Sequence, residues 1–105
     1  MDLDCLTRAL GLFAAQDPIR FPLHHARLFL EVATSEPCSF EHLEERLSLT
    51  NSSISRSVSA LSDRNRHGDR GYRLLTVERD PAEGRRFLVR LSPKGRLLLQ
   101  QLEAL

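Results

Sequence analysis

The sequence predicts a mainly α-helical fold carrying one small β-hairpin, an α+β arrangement in the order α-α-α-α-β-turn-β-α. Three observations predict it. Apolar residues recur at three- and four-residue spacing in separate stretches, the period of helices buried on one side. Two runs with strand alternation, Tyr72 to Glu78 and Phe87 to Leu91, flank the turn-forming Asp80-Pro81-Ala82-Glu83-Gly84-Arg85. An acidic helix and a serine-rich helix follow one another with only Ser48-Leu49 between them, as two helices joined by a tight turn require.

Leu3, Leu6, Leu10 and Phe13 place a helix over residues 2–16, which stops before Asp17-Pro18. Pro22 opens a second helix with Ala26, Leu28, Phe29, Val32 and Ala33 inward. It ends at Ser35-Glu36-Pro37, because the residue before a proline is pushed out of helical geometry. Ser39 caps a third helix with Phe40, Leu43 and Leu47 inward and Glu41, Glu44 and Glu45 outward. Thr50 caps the fourth, about residues 50–63, whose inner stripe is Ile54, Val58 and Leu61. Its outer side holds Asn51, Ser52, Ser55, Arg56 and Ser59. Ser52, Ser53, Ser55, Ser57, Ser59 and Ser62 lower its intrinsic helicity, so packing of the apolar stripe must offset them.

After a glycine-punctuated loop from Arg64 to Gly71, the first strand sets Leu75 and Val77 on one face, and the returning strand sets Phe87, Val89 and Leu91 on a common side. Ser92-Pro93 then starts a leucine-rich last helix, residues 93–105, with Leu97, Leu98, Leu99, Leu102 and Leu105. The plan is a helix-turn-helix, about residues 39–63, followed by a hairpin wing, about residues 73–91. At 105 residues it is expected to form a single domain, 1–105, with no linker or repeat.

Charge suggests what this surface meets. The formal net charge is only +1, but residues 1–55 hold four basic against eight acidic side chains, and residues 56–96 hold eleven basic against five acidic. A basic segment that begins inside the serine-rich helix and runs through the wing is the distribution expected of a surface facing phosphates. The glutamates of the third helix would repel phosphate, so that helix should not lie flat on a duplex. The candidate DNA-binding residues are Thr50, Asn51, Ser52, Ser53, Ser55, Arg56 and Ser59 on the helix, with Arg79, Arg85 and Arg86 from the wing. Arg56 is the candidate for bidentate contact with guanine; the alternative is a surface pair with Asp63 or a third-helix glutamate.

Other chemistry finds little footing. His24, His25, His42 and His67 have no partner at catalytic spacing, and no phosphate-binding glycine loop or carboxylate pair stands out, so the sequence does not read as an enzyme. His24 and His25 read as surface or hydrogen-bonded residues. Cys5 and Cys38 are too few and too isolated for a disulfide framework or a zinc site, and no cofactor or metal is indicated. Cys38, just before a helix start, leaves a thiol sensor as the alternative to simple packing. No apolar run is long enough to span a bilayer, and the expected location is the cytoplasm.

The run Asp80-Pro81-Ala82-Glu83-Gly84-Arg85-Arg86-Phe87-Leu88-Val89-Arg90-Leu91-Ser92-Pro93-Lys94-Gly95-Arg96 resembles the wing and following helix start of the MarR family of winged-helix transcription regulators. Leu49 to Leu61 is similar to that family's recognition helix, with Ser55-Arg56 where a hydroxyl-Arg pair is common; the similarity covers roughly residues 26–97. It implies a homodimer on a palindromic double-stranded DNA operator, a transcriptional regulator and a repressor rather than an activator. An ion pair within Glu83-Gly84-Arg85 is expected to shape the wing; the family has Asp at the first of these positions. The resemblance allows a small-molecule effector, which no residue pattern here indicates.

Two departures are visible: the loop from Arg64 to Tyr72 is longer than usual, and the long carboxy-terminal helices that build the family's dimer do not follow within this sequence. A dimer would then form on Leu3, Leu6, Leu10 and Phe13 with Leu98, Leu102 and Leu105. The alternative is that the two terminal helices pack on each other within one monomer. The competing use of such a fold is a protein-interaction or replication/partition module without a transcriptional role.

Overall fold

Four helices begin on a side chain that accepts a first-turn N–H. Asp2 caps α1 (Leu3–Ala14), Ser39 caps α3 (Phe40–Leu47), Thr50 caps α4 (Asn51–Leu61) and Ser92 caps α5 (Pro93–Glu103). α2 (Leu23–Ser35) starts instead behind Pro22, with no side-chain cap. The computed structural model describes residues 2–63 and 71–105. Much of the expected loop after α4, with Arg64, Arg66, His67 and Arg70, lies outside the described residues.

Between α3 and α4 the chain turns at Ser48, whose φ of 54° lies in the left-handed region. Its N–H and that of Leu49 both return to the Glu44 carbonyl. This satisfies helix-end groups locally and sets α4 at an angle across α3.

The sheet has one more strand than the sequence suggests. β1 (Cys38–Ser39) pairs antiparallel with β3 (Phe87–Leu91), which pairs with β2 (Leu75–Arg79), in the order β1-β3-β2. The registers are Cys38 with Val89 and Leu75 with Leu91. β1 is two residues long, too short to leave a periodic signal. β2 begins three residues later than the alternation predicts. Tyr72 and Leu74 instead donate their N–H groups to the Ala60 and Leu61 carbonyls, closing the exposed end of α4.

Phe29, Leu28, Leu43, Ile54, Leu61, Leu74, Leu75 and Val89 fill the core where α2, α3, α4 and the sheet meet. Ser57 is buried beside Val58, wider than the expected stripe. The wing departs from its expected inner face: Val77 and Phe87 are 40% and 41% exposed. The hairpin outruns the helical layer, so alternation near its tip has no core beneath it. Phe87 instead lies 6.4 Å from the Phe40 ring.

The terminal helices pack against each other, which corrects part of the expected dimer surface. Phe13 and Leu98 are 4% and 3% exposed, in the monomer's own core, and Leu102 packs against that core. Leu3, Leu6, Leu10 and Leu105 remain on the surface, joined by Leu97 and Ile19. Both corrected positions lie where a terminal helix meets the α2–sheet core, a distinction that helical spacing alone cannot make.

The Leu91-Ser92-Pro93-Lys94-Gly95-Arg96 run has a structural explanation. The Ser92 hydroxyl donates to the Arg73 carbonyl and accepts from the Gly95 N–H. Lys94 Nζ donates to the Tyr72 carbonyl at 2.9 Å. A Cβ on Gly95 would sit 2.1 Å from the Leu74 carbonyl oxygen, so only glycine lets α5 approach the backbone leading into β2 this closely. Arg96 grips Glu36 through both terminal nitrogens, at 3.2 and 2.9 Å, and Glu36 also accepts the Leu91 N–H. The motif docks α5 on the root of the wing.

Candidate nucleic-acid interface

Burial of Ile54, Ser57, Val58 and Leu61 fixes the rotation of α4, so Asn51, Ser52, Ser55 and Arg56 are turned outward by default. Thr50 is exposed too, though its hydroxyl is engaged: it accepts the Ser53 N–H and donates to Ser53 Oγ, both at 3.2 Å. Ser53 and Ser59 are half-buried. Asn51, Ser52, Ser55, Arg56 and Ser59 line one shallow concavity of about 360 Å³. A neighbouring groove of about 430 Å³ runs from Ser39, Phe40 and Glu41 past Asn51 to Glu83, Arg85, Arg86 and Phe87 of the wing. Asn51 belongs to both, so the helix face and the wing form one continuous surface.

The guanidinium groups of that surface are not equivalent. Arg79 donates to the Gly84 carbonyl at 2.7 Å and stands 5.1 Å over the Phe87 ring, so it braces the wing turn. Arg86 pairs with Glu83 at 3.5 Å. The expected pair within Glu83-Gly84-Arg85 is therefore corrected. The Asp80–Arg86 turn is closed by Asp80 N–H to the Arg86 carbonyl at 2.8 Å and Arg86 N–H to the Glu83 carbonyl at 2.9 Å. That backbone brings Arg86, three residues on, alongside Glu83 and leaves Arg85 outside. Arg85 and Arg56 have no side-chain partner among the described residues, so the alternative pairing of Arg56 with Asp63 or an α3 glutamate is not formed.

Elsewhere, charge bias overstates the free positive surface. Arg90 pairs with Glu78 at 2.6 Å on the wing strands, and Arg96 is held by Glu36. Asn51, a candidate DNA-binding residue, also donates from Nδ2 to Glu44 Oε2 at 3.3 Å. An α3 carboxylate thus stands at the edge of the candidate surface. Composition could not place it there, because the α3–α4 turn decides which glutamate meets α4.

Outside this surface, Cys38 follows the simple-packing reading rather than the sensor alternative, and His25 differs from the surface or hydrogen-bonded reading. Cys38 is buried in β1, and its thiol is pushed up to about 11 by burial, then by the Glu31 and Glu36 carboxylates. This is the opposite of the thiolate-favouring helix start a sensor needs. His25 lies on the inner side of α2 at 8% exposure, its Nδ1 without a hydrogen-bond partner among the described residues. Burial, and secondarily the adjoining His24, lowers its pKa to about 4. The Phe21, Tyr72 and His24 rings surround it at centroid distances of 5.7, 6.3 and 4.7 Å. The helical spacing His25-x3-Phe29 could have revealed it as an inward residue. Among the described residues no helix is long and apolar enough to cross a membrane.

Neither protein-family models nor curated protein sequences give a match. Solved structures do. The chain is similar to a probable transcriptional regulator from Pseudomonas aeruginosa, with 28% identity, TM-score 0.63, and 96% of this chain and 70% of that one covered. It is similar to the PcaV transcriptional regulator from Streptomyces coelicolor, solved with its natural ligand, at 26% identity, TM-score 0.66, and 94% and 68% coverage. Bordetella bronchiseptica BpsR, whose DNA binding is regulated by 6-hydroxynicotinic acid, shares the fold at 20% identity and TM-score 0.67, with 96% and 67% covered. The order of helices and the three-stranded sheet, shared with these transcriptional regulators, give the chain a winged helix-turn-helix fold.

Proposed function

We propose that the chain is a cytoplasmic transcriptional regulator that binds double-stranded DNA sequence-specifically as a homodimer, and that it represses. The observation that carries this reading is the continuity of the α4 face with the wing groove through Asn51. Arg56 on the helix and Arg85 on the wing, neither with a side-chain partner among the described residues, supply guanidinium groups to the same side. Short hydroxyls at Ser52 and Ser55 let the α4 backbone approach a major groove closely, and the wing arginines reach flanking phosphates or a narrow minor groove.

A single winged helix reads only a short half-site, which supports a symmetric pair. Leu3, Leu6, Leu10, Leu97 and Leu105 are apolar side chains that the two terminal segments leave on the surface to form it. The whole chain is assigned to one domain, and no enzymatic role is assigned. The test is selection of bound fragments from the source genome, followed by binding at several salt concentrations. Enrichment of a palindromic site over random DNA is the expected result. Equal binding of all sequences would favour the protein-interaction or replication/partition alternative.

A small-molecule effector is a second element, favoured by the orphaned His25 Nδ1 inside its aromatic surroundings. A cleft of about 230 Å³ adjoins that cluster at Phe21, lined also by Leu10, Phe13 and Leu23. One structural neighbour has its DNA binding regulated by 6-hydroxynicotinic acid, and another is in complex with its natural ligand. Stabilisation by a hydroxylated aromatic acid in the wild type, absent in His25→Phe, would support it; equal melting shifts would remove it.

A further inference from the structure

Asn51 stands where the two concavities meet, and its amide is held in one orientation. Nδ2 donates to Glu44 Oε2; with the amide reversed, Oδ1 would face a carboxylate oxygen with no proton between them. The backbone is fixed at both ends of this contact. The Glu44 carbonyl accepts the Ser48 and Leu49 N–H groups that close α3. Asn51 is the first residue of α4, directly after its Thr50 cap.

We propose that Glu44 is a positioning residue for base recognition: by holding Nδ2 it turns Asn51 Oδ1 outward with the remaining N–H, so that the base facing Asn51 is adenine. The proposal rests on the reading of α4 as the groove-facing helix. In the major groove adenine presents the N6 donor beside the N7 acceptor, the complement of an outward carbonyl and N–H. Guanine presents two acceptors, and thymine an acceptor and a methyl group, against which the held carbonyl oxygen is mismatched. Cytosine offers the amine without N7 and satisfies half of the amide.

Glu44 has a second effect of opposite kind, because a carboxylate at this edge opposes every phosphate alike. The two effects separate experimentally: charge acts on all sequences, and orientation on one base pair. The test is enrichment from a randomised duplex library by the full chain and by Glu44→Ala, Glu44→Gln and Asn51→Ala. In the wild type one position per half-site should favour adenine over guanine by on the order of tenfold. Asn51→Ala and Glu44→Ala should flatten that same position and leave the others.

Glu44→Gln removes the charge but keeps an acceptor for Nδ2, so it should retain adenine. A Glu44→Ala protein that gains affinity for every sequence and keeps the preference overturns the proposal. So does a wild-type preference for guanine or thymine at the position Asn51→Ala flattens. A wild type that enriches nothing overturns the DNA-reading assignment itself, and the proposal with it.

Discussion

Removing Arg85 should change the salt dependence of DNA binding more cleanly than removing any other wing arginine. Its side chain has no partner among the described residues, and it lines the groove between α4 and the wing. Arg85→Ala therefore deletes one cation and disturbs little else. Each phosphate contact contributes about 0.9 to the slope of log affinity against log salt. A fourfold rise in salt, from about 50 to about 200 mM, thus weakens binding about 3.5-fold per contact, and about twelvefold for the paired wings of a symmetric complex. The variant should escape that share of the loss, giving a slope shallower by about 1.8 for the proposed dimer.

Arg86→Ala should shift the slope less. It removes a cation already paired with Glu83, though that exposed pair contributes only a few tenths of a kcal/mol to about 1 kcal/mol of stability. Arg79→Ala should lower affinity by loosening the turn it braces at Gly84 and Phe87. Fluorescence anisotropy with a labelled operator over a chloride series measures all three. The ranking is refuted if Arg85→Ala leaves the slope unchanged, or if the three variants lose affinity equally and independently of salt.

Three further outcomes follow from the packing. Gly95→Ala places a Cβ 2.1 Å from the Leu74 carbonyl oxygen, which also accepts the Ser92 N–H. Overpacking there should cost about 1–3 kcal/mol, read as a lower midpoint in urea, and a midpoint matching the wild type would contradict the close approach of α5 to the backbone leading into β2. For His25, the unfolded imidazole takes up a proton near 6.5, whereas the folded one does so near 4. The unfolded chain binds more protons between these values, so stability should be full above about pH 6.5 and fall by up to about 3 kcal/mol toward pH 4. His25→Phe should flatten that window, and an unchanged decline would assign it elsewhere. Cys38, with its thiol raised to about 11, should resist alkylation at pH 8 in the native protein and label only on unfolding; rapid native labelling would show that β1 opens.

The sequence by itself determined the five helices, the hairpin and the outward side of α4. Caps at Ser39, Thr50 and Ser92, the period of Ile54, Val58 and Leu61, and turn residues at Asp80 to Arg85 are local signals. Local backbone and packing physics acts over the same few residues. What only tertiary structure decided are relations between segments far apart in the chain. β1 exists because Cys38 and Ser39 meet Val89 and Leu88. Phe13 and Leu98 are core because each terminal helix meets the α2–sheet core at that point. His25 is neutral because Phe21 and Tyr72 close over it.

The candidate surface divides in the same way. Its residue types were legible, but which arginine is free was not. Arg79, Arg85 and Arg86 are equivalent charges in a sequence, and the wing backbone alone brings one over a ring, one beside a carboxylate and one into the groove without a partner among the described residues. Glu44 likewise reads as one more solvent-facing acid until the Ser48 turn folds α4 back and sets its carboxylate against the amide of Asn51.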